Sequence, residues 1–433
     1  MAKKDRNLLI LMAVGLSVLL VLRDILDVSI SKYLFLVYIV LFMAVAQYKV
    51  MVHMVCFILP LVCGLPGTYI MPCALGLLLF KKERVNLKFL LSIIILMLLE
   101  LVASFWYPNQ NLTLIVQYVS FASILLYLIY DDTAIDNLMC VRMFFLGTIL
   151  LCGVIIVTGL QEAPDNWLEL FEKGQFRFGQ THWQQGTGLV LNVNANSLAY
   201  YSAAGFACGL LFVDQSIGKR KLFWLAGLLV CIIAGFLTLS RTWIITVFII
   251  LILYTASKLR SPKQFLTLLL ILAVLATVAV VYFNQNPELL AGITTRLEDT
   301  DVEGGNGRVE LFFQYMDIYW KNIRHILLGM GVTQYRAISE INSLHNGTQQ
   351  ILVCCGLVGF VVYMIALVGS VWGACKGKKC AMIYWLPLLA VVFFVQSIQF
   401  LNPMMLMLPY AAGVYALKAG GEKDEKLSHN SGH

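Results

Sequence analysis

Charge is scarce in this sequence. Of 433 residues only 13% are Asp, Glu, Lys or Arg, while 60% are hydrophobic and the mean hydropathy is +0.82. That balance excludes a water-soluble globular surface and places the chain in lipid. Nucleotide-binding glycine loops are missing too: neither a Walker A sequence nor a GxGxxG occurs, which argues against a nucleotide-driven pump. No acidic or histidine cluster has metal-ligand spacing, and the 11 cysteines show no CxxC or Cys/His pattern, so they read as small buried hydrophobes. The net charge of +7 sits in short basic clusters between apolar runs and forms no groove-sized patch, which excludes a nucleic-acid binder.

What is present is apolar runs of spanning length. They occur at 7–22, 33–47, 50–64, 68–80, 88–106, 112–130, 138–160, 197–213, 222–239, 243–257, 265–283, 347–371, 381–399 and 403–417. In a bilayer the backbone must satisfy itself, so runs of about 20 residues read as spanning helices and no strand is required. The expected fold is all-α and polytopic, with about 12–14 transmembrane helices. The lower number applies if 49–82, with Pro60, Pro66 and Pro72, forms one re-entrant hairpin instead of two short spans. MAKKDRN followed by an apolar run, with no A-x-A-like site before Arg23, reads as a retained signal anchor.

With the N-terminus in the cytoplasm, Lys49, KKER at 81–84, KRK at 219–221, KLRSPK at 258–263, KGKK at 376–379 and the tail all fall inside. The acidic DDTAID at 131–136 is then an inside loop with no basic residue of its own. The domain plan is N-terminal transmembrane helices over 1–160, central helices over 161–283 with an outer loop at 161–195, a large outer loop at 284–346, C-terminal helices over 347–418, and a disordered cytoplasmic tail at 419–433. Within the large loop, RVELFFQYMDIYWKNI sets Val309, Phe312, Phe313, Met316 and Ile323 at helical spacing, which predicts a helix on the membrane surface or over a cavity.

The outer ends of the helices gather distinctive polar residues: Arg177 in QFRFGQ, Arg241 in LSRTW, Arg308 in GNGRVE and His345 in SLHNG. An arginine at a helix end usually snorkels to headgroups. Arg241, set between two apolar runs, also suits a diphosphate clamp, because a guanidinium fork meets phosphate oxygens bidentately and never loses its charge. Arg308 opens a helix, where a cation opposes the dipole, and that cost points to a use elsewhere. A lone histidine is more often structural; His345, flanked by Asn346 and Gln349, also titrates in the range that suits proton transfer from a sugar hydroxyl.

From His345 the sequence reads HNGTQQILVCCGLVG, in which His345 and Asn346 are followed after nine residues by Gly356 and then by Gly359. This resembles the signature of the O-antigen ligase and Wzy-type polysaccharide polymerase superfamily. Weaker similarities follow the family's order: FRFGQ with NVNANSLA at 192–199, LSRTW at 239–243, and GR at 307–308 leading to LLGMGVTQYR at 327–336. The usual proline before the central asparagine is replaced by Val193 or Ala195, so either Asn194 or Asn196 corresponds.

The resemblance implies a metal-independent, GT-C-like membrane glycosyltransferase without cofactor. It would move a glycan from undecaprenyl diphosphate to a glycan acceptor at the outer face of the bacterial inner membrane, building O-antigen or capsule. A chain-length regulator and a flippase are expected partners. In this assignment Arg241, Arg308 and His345 are catalytic, while Arg177, Asn194 or Asn196, Asn346 and Gln349 bind substrate. Asp24 and Asp27, in the first outer loop, compete with His345 as base, or are simply solvated. A polymerase and a ligase share donor and site; moderate outer loops favour the polymerase. A flippase or transporter, with Glu100 and Arg142 lining a path, is the alternative of another class.

Overall fold

The computed structural model describes residues 2–106, 112–172, 176–179, 193, 195–258, 263, 266, 270, 277, 281, 308–333, 346–375 and 409–419. Among the described residues the structure is helical, with no strand. In chain order the helices are α1 (Lys3–Asp24), α2 (Lys32–Val45), α3 (Tyr48–Ile58), α4 (Gly67–Lys81), α5 (Leu87–Trp106), α6 (Leu112–Tyr130), α7 (Asn137–Gln161), α8 (Trp167–Glu172), α9 (Ala195–Gln215), α10 (Lys219–Leu237) and α11 (Arg241–Lys258). They continue with α12 (Arg308–Trp320), α13 (Ile323–Leu328), α14 (Gly347–Cys375) and α15 (409–419). α1, α5, α7, α9, α10 and α14 are long and apolar enough to cross a membrane, and shorter apolar helices lie between them. The chain is thus an all-α polytopic membrane protein. Most of the run 265–283 and all of 381–399 lie outside the described residues.

Because almost every helix is apolar all round, burial cannot sort its faces by polarity alone. On α1, Leu9, Met12, Leu16 and Leu20 form a buried stripe at helical spacing, while Ile10, Leu11, Val14 and Val18 face outward. Outward leucine and valine are what a lipid environment selects. Lipid supplies no hydrophobic drive between helices, so close packing must come from small residues. A Cβ on Gly147 of α7 would overlap the Phe57 carbonyl of α3; on α9, Gly205 and Gly209, one turn apart, admit Cys231 and Leu228 of α10.

The segment with three prolines resolves into two antiparallel helices. After α3 a 3-10 turn, Leu59–Gly64, precedes Leu65 and Pro66, and α4 returns. Every residue from Val50 to Gly67 is buried. Irregular backbone is tolerated at this depth because protein, not lipid, surrounds it.

The helices collect their connections at two ends. One end holds Ala2 and Asp5 near Gln47, Lys49, Ala134 and Asp136, and the 81–87 turn near Asp132. The other holds Ile25, whose carbonyl accepts from Gln161 Nε2 at 3.3 Å, and the turn after α10, where the Phe178 N–H donates to the Leu237 carbonyl at 3.0 Å. The acidic 131–136 loop finds its cations at the first end. Lys82 Nζ lies 2.9 Å from Asp131 Oδ1 and 3.0 Å from Asp132 Oδ1, and Tyr48 Oη donates to Asp131 Oδ2 at 2.8 Å. Burial works against the Lys82 charge, yet the two carboxylates hold its ammonium above the ordinary lysine range, and the hydrogen bond from Lys82 depresses Asp132.

Candidate functional site

Two groups of the sequence-derived residues come together at the end away from the lysine-rich turns. The first is built on the short segment 176–179. Phe176 and Phe178 are buried beside Trp167, with ring centroids 6.5 and 5.8 Å from the indole, and Phe178 fills the notch left by Gly159 of α7. Gly179, at φ +90°, takes the tight backbone approach to Val193 and Ala195 at the start of α9. Arg177, between these two buried phenylalanines, is half-buried.

The Phe178–Leu237 hydrogen bond ties this segment to the turn before α11. In that turn Thr238 Oγ1 donates to the Gly235 carbonyl at 2.6 Å and accepts from the Ser240 N–H at 3.2 Å, and Leu239 takes φ 49°. The chain reverses within three residues, and Arg241 opens α11. Trp243, two residues further on, lays its indole against Gly235, which Ser202 also approaches. Arg177, Arg241 and the first turn of α9 with Asn196 therefore belong to one constellation. Arg241 has no ion-pair or hydrogen-bond partner among the described residues.

The second group surrounds the start of α14. Asn346 Oδ1 accepts from the Gln349 N–H at 3.0 Å and caps the helix. Gln349 Nε2 donates to the Phe312 carbonyl at 2.7 Å, which sets the first turns of α12 and α14 side by side. Arg308 opens α12 one turn before Phe312, as expected from sequence. His345 lies outside the described residues, so this group is seen through its neighbour Asn346; Asn194, also outside them, adjoins Ala195 of the first group. α12 forms where the helical spacing predicts it, and its faces divide by contact with the rest of the protein. Phe312, Phe313 and Ile323 are exposed, whereas Tyr315 and Tyr319, four residues apart, face inward. The phenolic group decides this, because Tyr319 Oη donates to the Ile326 carbonyl at 2.9 Å and ties α12 to α13.

The joint under the second group was only partly visible in the motifs. α14 breaks at Gly356, with φ 62° and ψ −172°, a region that only glycine occupies readily. The break frees carbonyls that α14 would otherwise use. Those of Val353 and Cys354 accept from the Met330 and Gly331 N–H groups, each at 2.9 Å. A Cβ on Gly329, itself at φ 78° and ψ −179°, would overlap the Cys354 carbonyl oxygen. The LLGMG and CCGLVG stretches, separate in sequence, are thus two halves of one backbone junction. Gly359 has a simpler role and lets α14 approach Leu99 of α5.

Glu100 completes the junction. Buried in α5, its two carboxylate oxygens lie 3.2 and 3.3 Å from the Val332 nitrogen and accept its N–H. Tyr118 and Tyr363, whose hydroxyls are 2.9 Å apart, lie close by, with Cys355 Sγ 3.4 Å from Tyr118 Oη. A lone acid in an apolar run was the sequence signal; its partner, 232 residues away in sequence, was not legible. The first outer loop contributes a closed pair: Arg23 Nε and Nη2 meet Asp24 Oδ1 and Oδ2 at 2.6 and 3.0 Å, and the guanidinium lies 4.7 Å over Phe35. Asp24 is engaged there, and Asp27 sits in the following turn at φ 52°.

Buried polar atoms without a hydrogen-bond partner among the described residues occur at these turns, Tyr200 Oη in α9, Trp243 Nε1 in α11, Gln349 Oε1 in α14 and Arg23 Nη1, and also at the lysine-rich end, on His53 and Arg142. Native proteins seldom leave such atoms orphaned, and a polar ligand or water is the usual reason when they do. Among the described residues no group of three His, Cys, Asp or Glu side chains is placed to hold a metal ion.

Residues 226–364 match the family model described as O-antigen ligase. The matched region runs from within α10 to within α14 and includes Arg241, Arg308, His345, Asn346, Gln349 and the Gly356 junction, and it supports the resemblance drawn from the motifs. Arg177, Asn194, Asn196 and Glu100 lie outside it. No curated protein matches the chain.

Proposed function

Proceeding from the O-antigen ligase match, we propose that the chain is a membrane glycosyltransferase that polymerises undecaprenyl-diphosphate-linked repeat units into a surface polysaccharide. The observation that carries this reading is the pairing of Arg177 and Arg241 on hydrogen-bonded elements at the end of the bundle opposite the lysine-rich turns. By the excess of basic residues, the lysine-rich end is cytoplasmic and the arginine end faces outward.

The chemistry follows from where charge develops. The acceptor hydroxyl attacks the anomeric carbon of the donor glycan, the bond from that carbon to the diphosphate oxygen breaks, and undecaprenyl diphosphate leaves with the electron pair. Arg241, Arg308 and Arg177 hold the two phosphates and stabilise that charge in a site partly closed to water. His345, on the chain just before the Asn346 cap, accepts the proton of the attacking hydroxyl. The Gly356 junction and the Glu100–Val332 hydrogen bond fix where the chain re-enters the 334–345 segment that leads to His345.

A ligase that uses the same donor and a lipid A core acceptor is the second reading, favoured by the description of the matching family. Transport is disfavoured because Glu100 and Arg142 do not share a path: Glu100 lies near the outer end of α5, and Arg142 is near the opposite end, in α7. The test is to incubate the purified chain with lipid-linked oligosaccharide and separate the products on a gel. A ladder supports polymerase, and a single shift on an added core acceptor supports ligase. Unchanged donor together with its movement across the bilayer would replace both by transport.

A further inference from the structure

We infer that the chain carries a second anion site, at the lysine-rich end, which takes the phosphate of an anionic phospholipid headgroup. The site is an 880 Å³ cavity where the start of α7 meets the α9–α10 turn, lined by Arg142, Lys219, Arg220, Phe212 and Trp224 among others. Three cations converge on it, and no Asp or Glu lines it among the described residues. The neighbouring carboxylates stand outside the cavity lining: Asp136 Oδ1 accepts from the Met139 N–H as the cap of α7, and Asp214 accepts from Tyr254 Oη. Arg142 feels the charge of Asp136 as well as the repulsion of Arg220, so the three cations keep an excess of positive charge that an anion between them would lower.

Arg142 is the anchor. Its guanidinium lies 5.6 Å over the Phe212 ring, which itself is 4.9 Å from Trp224, so two aromatic rings hold the side chain in place. Its Nε is buried with no hydrogen-bond partner among the described residues. A guanidinium edge left open in this way is shaped for two phosphate oxygens. α7 and α10 are both of spanning length, so the cavity at their ends sits at headgroup level, where arginine, lysine and tryptophan collect. Apolar side chains at its rim decide between a lipid and a soluble phosphate. Ile217 is 90% exposed and Phe223 is also exposed, beside the outward Leu222, and acyl chains would cover all three. The site is at the far end of the molecule from Arg177 and Arg241, so it stands whether or not the glycosyltransferase reading does.

The experiment titrates the purified full chain, in neutral detergent, with phosphatidylglycerol brominated near the headgroup, and reads quenching of tryptophan fluorescence. Trp224→Phe identifies the cavity's share of the signal. The expected result is quenching of Trp224 by brominated phosphatidylglycerol at concentrations where brominated phosphatidylcholine has little effect. Lys219→Gln with Arg220→Gln, both at exposed positions, should weaken that binding by about fivefold per cation removed, and Arg142→Gln by at least as much. Equal quenching by the two lipids would overturn the site, as would full anionic preference in the Lys219→Gln/Arg220→Gln chain. Displacement of the lipid by millimolar inorganic phosphate would overturn the lipid as its ligand. The exposed double variant keeps the test decisive if Arg142→Gln fails to fold.

Discussion

At one end of the bundle Lys82 is clamped between Asp131 and Asp132, and Lys81 Nζ donates to the carbonyls of Met43 and Ala44 at 3.0 and 2.6 Å. At the other, Arg241 opens a helix with no ionic partner among the described residues, on the helix that also carries Trp243 with its buried, unpartnered Nε1. Both ends pair cations internally, Lys82 with Asp131 and Asp132 at the first and Arg23 with Asp24 at the second, but Arg241 is left with no such partner among the described residues. A charge consumed by its own neighbours holds helices together, whereas a charge left open at the cost of an unsatisfied surrounding is free to meet a substrate. The Arg142 cavity shows that the distinction is local, since it lies at the end of the Lys82 clamp and is itself open.

Substitutions at the two ends should therefore separate stability from activity. The largest loss of stability is expected at the junction that supports the outer end. Gly356→Val forces a side chain into a glycine-only backbone conformation against the Leu327 carbonyl, which should cost about 3 kcal/mol or more and abolish transfer with it. Thermal unfolding in detergent measures the first effect and product gels the second. Next comes the inner clamp: Lys82→Met leaves the buried Asp131 with Tyr48 and the Thr133 N–H as donors, and should cost about 2 kcal/mol while transfer by the folded protein is unchanged. Loss of activity in the folded Lys82→Met protein would break the division between ends.

Glu100 sharpens it further. Glu100→Leu removes the acceptor for the Val332 N–H and should cost about 1 to 3 kcal/mol, whereas Glu100→Gln keeps an acceptor and should cost less. The smallest effect is a pH dependence of the inner clamp. Asp132 is depressed by Lys82, so its contribution is present above the ordinary carboxylate value of 3.8 and is lost as pH falls through its lower folded value. Lys82 is raised, so its contribution is full below 10.5 and is lost as pH rises through its higher folded value. Unfolding temperature should thus show a plateau between those limits with a fall on each side, and Lys82→Met should flatten both falls.

The architecture was legible because hydropathy acts over whole helices: α1, α7 and α10 fall on their apolar runs to within a few residues. The acidic 131–136 loop looked anomalous because its cation, Lys82, comes from another turn. Motif glycines were legible as positions but not as partners. Gly356 was visible in the signature after His345, yet its meeting with Gly329 depends on backbone dihedrals that no periodicity reports. On α12 the inward residues were not legible for a related reason, because the apolar periodicity picks out Phe312 and Phe313, which protein leaves exposed, while a hydroxyl with a carbonyl partner turns Tyr319 inward.

The central claim is that the open arginine end performs glycosyl transfer from a lipid diphosphate. The most direct measurement is the initial rate of product formation by purified Arg241→Ala protein given lipid-linked oligosaccharide, against wild type and with folding verified. The account predicts a loss of about 100- to 1,000-fold, as for removal of a donor aimed at developing negative charge, with only partial recovery in Arg241→Lys. Transfer by folded Arg241→Ala protein at the wild-type rate would contradict it.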